Sequence, residues 1–185
     1  MKKLFITLAL SSLAFAQGPA QQKAPPPPGL TLTTNAFEDG AVIPNKYTQA
    51  GEQISPKLTW TNVPANTASF ALILHDPDVA LQKNPTDVLH WMIFNIPGTA
   101  RELAEGMGAN PKPEDGSVQA KNLRGQPGYM GPGAGAQGPY HHYTFELFAL
   151  DNKLELGADA SRADVMKAME GHIVGKAILF GRFHR

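Results

Sequence analysis

Cysteine is absent from the 185-residue sequence. Its absence excludes disulfide bonds and lipid attachment through a cysteine thiol, so packing of the core must stabilise the folded protein. Charged residues are also few, at 17% of the chain, and their signs balance, with 16 Lys and Arg against 16 Asp and Glu. A chain without an excess of positive charge does not favour nucleic acid as a partner.

No apolar run in the sequence reaches the roughly 20 residues that a membrane-spanning helix requires. The N-terminus instead has the parts of an export signal, which are Lys2 and Lys3, an apolar run over 4–13 and an Ala-Phe-Ala cleavage site at 14–16. We therefore predict a signal peptide over 1–16, an exported protein that is periplasmic or secreted, and no stable membrane insertion after cleavage. An uncleaved membrane anchor is the weaker alternative. Cleavage would leave 14 basic against 16 acidic residues, a net charge of −2.

A proline-rich stretch follows the cleavage site, with four consecutive prolines at 25–28. Proline favours extended conformations, and a polar, proline-rich segment buries too little apolar surface to fold. We predict that 17–29 is a disordered spacer. A chain of this length supports one core, so 30–185 is predicted to be one domain.

The remaining sequence predicts a mostly β fold with one or a few short helices. Its apolar runs are short, rich in β-branched and aromatic residues, and separated by glycine, proline and asparagine. The clearest predicted strands are 69–74, 88–96, 143–150 and 175–183, and weaker strands lie near 30–36 and 57–60. Ser161 and Asp164 have the spacing of a capping box, which predicts a short helix that Gly171 closes. A long glycine- and proline-rich stretch, 98–139, is typical of a functional loop.

Polar side chains gather at three points near the ends of predicted strands. Asp76 and Asp78 follow the first clear strand, His90 lies within the second, and a glycine-rich stretch at 128–139 leads into His141. Each point alone has a simpler explanation, which is a turn, a buried core histidine or a flexible loop. If the three points converge, two carboxylates, two histidines and a backbone amide would be suited to hold phosphate.

The same points carry ordered motifs. They are DPD at 76–78, HW at 90–91, GYxGP at 128–132 and H-x-Y at 141–143, with ISPKLTW at 54–60. From about Leu30 to Phe183 the sequence resembles the phosphatidylethanolamine-binding proteins, also called the Raf-kinase-inhibitor-like family. The resemblance implies a β-sandwich with a pocket for phosphate-like groups. The pocket residues that it implies are Asp76, Asp78, His90, Gly131, His141 and Tyr143, with Tyr129 at the rim.

The sequence departs from the family pattern in two loops. Val79-Ala80 and Gly133-Ala134-Gly135 stand where family members often have proline, so the sequence does not fix the shape of these loops or the choice of ligand. His142 stands where a basic residue such as arginine is common. By strand alternation its side chain should point away from His141 and Tyr143.

We predict a non-enzymatic protein that binds a small anion or a phosphorylated ligand and needs no cofactor. The sequence has no cysteine and no G-x-S-x-G elbow to supply an activated nucleophile. One alternative is an inhibitor of a protease or another enzyme, which would dock through exposed loops such as 98–139 or through the N-terminal segment. Another is a metal-binding protein or metal-dependent hydrolase, although no HExxH motif is present. The metal ligands would come from His75, Asp76, Asp78, His90 and His141.

Overall fold

The computed structural model describes residues 28–79 and 87–185. Within these ranges the chain forms eight strands, one α-helix and one 3-10 helix, so the prediction of a mostly β fold is confirmed. The strands are β1 (Thr31–Thr34), β2 (Leu58–Thr61), β3 (Ser69–Asp76), β4 (Val88–Pro97), β5 (Glu102–Leu103), β6 (Val118–Gln119), β7 (His141–Leu150) and β8 (Ile173–Phe183); the helix α1 is Arg162–Met169 and the 3-10 helix is Asn45–Tyr47.

The predicted signal peptide over 1–16 and all but the last two residues of the predicted spacer lie outside the described residues. No helix in the described part of the chain is long and apolar enough to span a membrane.

Two antiparallel sheets form the fold. The larger has the strand order β6-β4-β3-β7-β8, and the smaller has the order β1-β2-β5. Successive side chains of a strand point to opposite faces, so the apolar residues of one face meet between the sheets. Trp60 of the smaller sheet is buried there with Phe70, Trp91 and Phe145 of the larger sheet.

Helix α1 covers the opposite face of the larger sheet. Its Val165 and Met169 are fully buried in a second apolar cluster with sheet residues such as Ile73. The capping box is formed, because the Ser161 hydroxyl accepts from the Asp164 amide and the Asp164 carboxylate accepts from the Ser161 amide. The helix therefore begins where its sequence signal indicates.

The long connection over 98–139 is ordered against the sheet. Three backbone amides of this connection, those of Ala120, Leu123 and Met130, donate to backbone carbonyl oxygens of β4. The buried indole of Trp91 also donates to Gln119 in this connection at 2.8 Å. The connection thus runs beside β4 and brings its second half to the end of the sheet where β4 begins.

Strand β4 contains a β-bulge at His90. Leu74 lies opposite Trp91, whereas the next residue, His75, lies opposite Leu89, so His90 is an extra residue in β4. In a regular strand His90 and Trp91 would point to opposite faces, but a bulge re-aims the extra side chain. Trp91 packs in the core between the sheets, and the His90 ring stands edge-on to Tyr143 on that same side, with centroids 5.1 Å apart.

Candidate functional site

A cavity of about 340 Å³ opens at one end of the core between the sheets. It lies where β3 ends and where β4 and β7 begin. Four of the predicted site residues line it, namely Asp76, His90, His141 and Tyr143. The remaining lining comes from Gln49, from Val79 and Val88, and from residues of 123–135. Polar side chains from β3, β4 and β7 therefore meet in one pocket, as the sequence motifs predicted.

Asp76 is the last residue of β3 and is only 2% exposed. Its Oδ2 lies 2.8 Å from His141 Nδ1, and its Oδ1 accepts from the Asp78 amide at 2.9 Å. Because an ionised carboxylate only accepts, the hydrogen of this contact belongs to His141 Nδ1. Nε2 is then the ring nitrogen of His141 that remains for a ligand, and Asp76 fixes the orientation of the ring.

His90 is 3% exposed, and its Nδ1 lies 2.8 Å from the carbonyl oxygen of Met130. A carbonyl only accepts, so Nδ1 carries a hydrogen. Burial lowers the pKa of His90, which favours the neutral ring at neutral pH. In that form Nε2 is an acceptor, and it donates to an anion only after protonation.

Tyr143 connects the pocket to the glycine-rich loop. Its hydroxyl oxygen accepts from the amides of Gly133 and Ala134 at 3.2 and 3.1 Å. Burial, together with the nearby carboxylate of Asp76, raises the pKa of this hydroxyl well above its ordinary value, so the phenol stays protonated. Tyr143 therefore holds the loop against the pocket and is not a ready base.

Three residues that the resemblance implied for the site do not line the cavity. Asp78 faces outward, where its carboxylate accepts from His142 Nδ1 at 2.9 Å. Tyr129 is not at the rim, because its hydroxyl donates to the Tyr47 carbonyl at 2.7 Å and its ring packs edge-on against a core tryptophan. Gly131 is buried behind the lining, and a Cβ there would lie 2.8 Å from the Tyr47 carbonyl oxygen, so close packing requires glycine.

The residues proposed as metal ligands do not all meet. His75 points to the opposite face of the larger sheet, where its Nδ1 lies 2.6 Å from Asp87 Oδ2, at an angle that does not form a well-aligned hydrogen bond. Its Nε2 lies 3.4 Å from Glu146 Oε2. Within 28–79 and 87–185 no group of three or more His, Cys, Asp or Glu side chains could hold a metal ion. No contact in the described structure favours the metal alternative.

Two further residues, Gln49 and Arg124, line the cavity and were not predicted from the sequence. The Arg124 guanidinium donates to Gln49 Oε1 at 2.7 Å. Neither residue belongs to a recognised motif, and both lie in irregular segments, so neither side chain has a strand pattern that would predict its direction. The pocket also has an apolar side formed by Val79, Val88 and Leu123, together with Met130.

The model of the family described as phosphatidylethanolamine-binding protein matches residues 33–184. A UPF0098 protein of Methanothermobacter thermautotrophicus is 45% identical over 157 residues, which cover 84% of this chain and 99% of that protein. Among solved structures, a putative phosphatidylethanolamine-binding protein homolog from Chlamydia trachomatis is 32% identical with a TM-score of 0.73, covering 85% of this chain and 98% of that one. Escherichia coli YbcL is 28% identical with a TM-score of 0.76, covering 85% and 99%.

Proposed function

The chain belongs to the phosphatidylethanolamine-binding protein family, and on that premise we propose that it is a non-enzymatic binding protein for a phosphate-like anion. The ligand would be phosphate or a phosphoethanolamine-like group held in the cavity between β3, β4 and β7. The observation that carries the proposal is the pairing of buried Asp76 with His141, which leaves Nε2 of His141 for a ligand.

The arrangement explains how a carboxylate can stand beside an anion. Both oxygens of Asp76 are directed at donors of the protein, which are His141 Nδ1 and the Asp78 amide. A His141 ring that carries hydrogens on both nitrogens would keep this contact through Nδ1 and donate to an anion through Nε2. A bound anion would meet N–H donors, with the carboxylate behind them.

The lining supports a role in binding rather than in catalysis. The described residues that line the cavity include no Ser, Thr, Cys or Lys. The one hydroxyl among them, that of Tyr143, is held protonated and accepts two amide hydrogens. Covalent catalysis by a hydroxyl or thiol needs that group to be activated by a neighbouring base or a lowered pKa, and the described lining residues include no such activated group.

The test is calorimetric titration of the protein with inorganic phosphate and with O-phosphoethanolamine at pH 6 and pH 8. We expect His141→Gln to weaken binding by about tenfold or more, since a hydrogen bond to a charged group is lost. His172→Gln is the matched control, because His172 makes the same Nδ1 contact with a carboxylate, that of Asp151 at 2.8 Å, but does not line the cavity.

Equal affinities for the two variants would contradict the proposal. Zinc is titrated in parallel, because zinc binding that strengthens from pH 6 to pH 8 would instead favour the metal-binding alternative, whose ligands must lose protons.

A further inference from the structure

Arg124 lies in a turn whose shape is fixed by Asn122, a residue that is only 8% exposed. The side chain of Asn122 accepts from the Arg124 amide at 2.9 Å and donates to the Gly128 carbonyl at 3.1 Å. The backbone carbonyl of Asn122 accepts from the Gly125 amide at 2.9 Å. The backbone of Arg124 is therefore held in one place beside the cavity, although its side chain is exposed.

The guanidinium of Arg124 is held by Gln49. The side-chain oxygen of Gln49 accepts from Arg124 Nη2 at 2.7 Å, and its side-chain nitrogen donates to the Gly131 carbonyl at 2.8 Å. The backbone amide of Gln49 also donates to the Pro132 carbonyl at 2.9 Å. Gln49 thus bridges the arginine to the glycine-rich loop on the wall of the cavity.

Gly133 makes room for this bridge. A Cβ at position 133 would lie 2.3 Å from the side-chain nitrogen of Gln49, a distance that no side chain tolerates without movement. Gly133 belongs to the stretch 133–135 that departs from the family pattern. Gly133 allows Gln49 to lie across the loop and reach Arg124.

Arg124 differs in charge from the other described residues of the lining. It is the one Lys or Arg among them, and its guanidinium stays cationic at every physiological pH. Burial lowers the pKa of His90, which favours its neutral ring at neutral pH. Above neutral pH the fixed positive charge of this lining is that of Arg124.

We propose that Arg124, held by Gln49, makes the pocket selective for dianionic phosphate monoesters over monoanionic phosphodiesters. The inference rests on the proposed function and names the class of ligand for the same site. A monoester carries a second negative charge near and above neutral pH and presents three terminal oxygens. A planar guanidinium can donate to two of these oxygens at once, and a diester offers one charge and fewer free oxygens.

The test compares two ligands that share the ethanolamine group. O-phosphoethanolamine is a monoester, and glycerophosphoethanolamine is a diester. Both are titrated calorimetrically at pH 8, where imidazoles are mostly neutral and the monoester is dianionic, into the wild type and into Arg124→Gln, Arg124→Lys and Lys112→Gln. Lys112 is an exposed residue outside the lining, so its variant controls for the loss of one positive charge.

We expect the wild type and Lys112→Gln to prefer the monoester. Arg124→Gln should lose about tenfold in affinity for the monoester and much less for the diester, and Arg124→Lys should fall between them, because it keeps the charge without the planar fork. At pH 6, where the monoester carries less of its second negative charge, the loss in Arg124→Gln should be smaller.

Two results would overturn the inference, and they are distinguishable. In the first, the wild type binds the monoester and Arg124→Gln keeps the same preference for the monoester over the diester. That result would contradict the role of Arg124 but not the anion pocket. Failure of the wild type to bind either ester or inorganic phosphate would overturn the anion pocket and the role of Arg124 together.

Discussion

At the level of single residues, two of the His–Asp pairs described above make the same contact in different surroundings. His141 and Asp76 meet at 2.8 Å with the carboxylate buried, whereas His172 and Asp151 meet at 2.8 Å on the surface. An exposed ion pair is screened by water and contributes little, and a buried one depends strongly on its partners. Burial therefore makes the first pair a fixed part of a pocket and leaves the second a surface contact.

His90 gives a pH-dependent prediction. Burial lowers the pKa of His90 in the folded protein below the ordinary value of 6.5, which applies to the unfolded chain. Between the folded and the unfolded pKa, the unfolded chain therefore binds more protons than the folded protein. Protonation then favours unfolding, and the contribution of His90 to the free energy of unfolding is complete above about pH 6.5 and is lost as the pH falls below it. His90→Gln should show a weaker fall in stability between about pH 7 and pH 5, as measured by urea denaturation.

A second measurement on His90 links this titration to the ligand. An anion that accepts from Nε2 binds the imidazolium form, so phosphate should raise the pKa of His90 in an NMR pH titration. The ring signals of His172, which does not line the cavity, provide an internal reference. A His90 titration that phosphate leaves unmoved would show that this ring does not donate to the anion.

Strand alternation predicts the side-chain directions correctly in β7 but not in β4. The alternation of β7 predicts that His141 and Tyr143 share a face and that His142 points away, and the structure has this arrangement. The same rule applied to β4 would place His90 and Trp91 on opposite faces. The bulge reverses that, and its position depends on pairing with β3, which is not a local property of the sequence.

At the level of elements, α1 is stabilised through one face. Met169 is fully buried against the larger sheet, whereas Met166, on the same helix, is 39% exposed. Met169→Ala should lower the free energy of unfolding by about 3 kcal/mol, since it leaves a cavity in the cluster. Met166→Ala should cost less than about 1 kcal/mol. Urea denaturation measures the free energy of unfolding of both variants. A loss for Met169→Ala as small as that for Met166→Ala would mean that the buried face of α1 contributes little to stability.

The glycine-rich loop gives another prediction at this scale. Gly133→Ala should displace the side chain of Gln49 and weaken binding of O-phosphoethanolamine, because the new Cβ would lie 2.3 Å from the Gln49 nitrogen. Gly138→Ala is the matched control, since no atom lies within 4 Å of its added Cβ. Calorimetry measures the affinities of both variants.

A double-mutant cycle separates this steric cause from a general effect on the loop. Gln49→Ala removes the atom that the added Cβ at position 133 would meet, so the two substitutions together should cost less stability than the sum of each alone. Simple additivity of the two losses would contradict the proposed contact.

The predicted elements correspond closely to the observed ones where the sequence has a strong local signal. The apolar runs predicted β3, β4, β7 and β8 to within a few residues, and the capping box predicted α1. The two-residue strands β5 and β6 were not predicted. Their pairing partners, β2 and β4, are distant in sequence, and two residues are too few to show a period.

At the level of the whole molecule, we propose that the protein is exported, because 1–16 has the composition of a signal peptide. Expressed from Met1 in a bacterial host, the exported protein should begin at Gln17, and the intact mass measured by mass spectrometry reports the cleavage site. Ala16→Phe should block cleavage by removing the small residue, and Ala20→Phe, on the far side of the site, should not. An exported protein that keeps all of 1–16 would contradict the proposal.

Strand β8 joins parts of the chain that are made far apart in time. It pairs along the whole of β7, and its Phe180 and Arg182 carbonyls accept from the amides of Gly40 and Ile43 at 2.7 and 2.8 Å. About 140 residues separate these partners, and chains that depend on such distant contacts fold slowly. During synthesis, β7 has an open edge until the ribosome has passed β8. We therefore expect the domain to complete its fold only after β8 has been synthesised, so the proposed export would begin on a chain that is not yet folded.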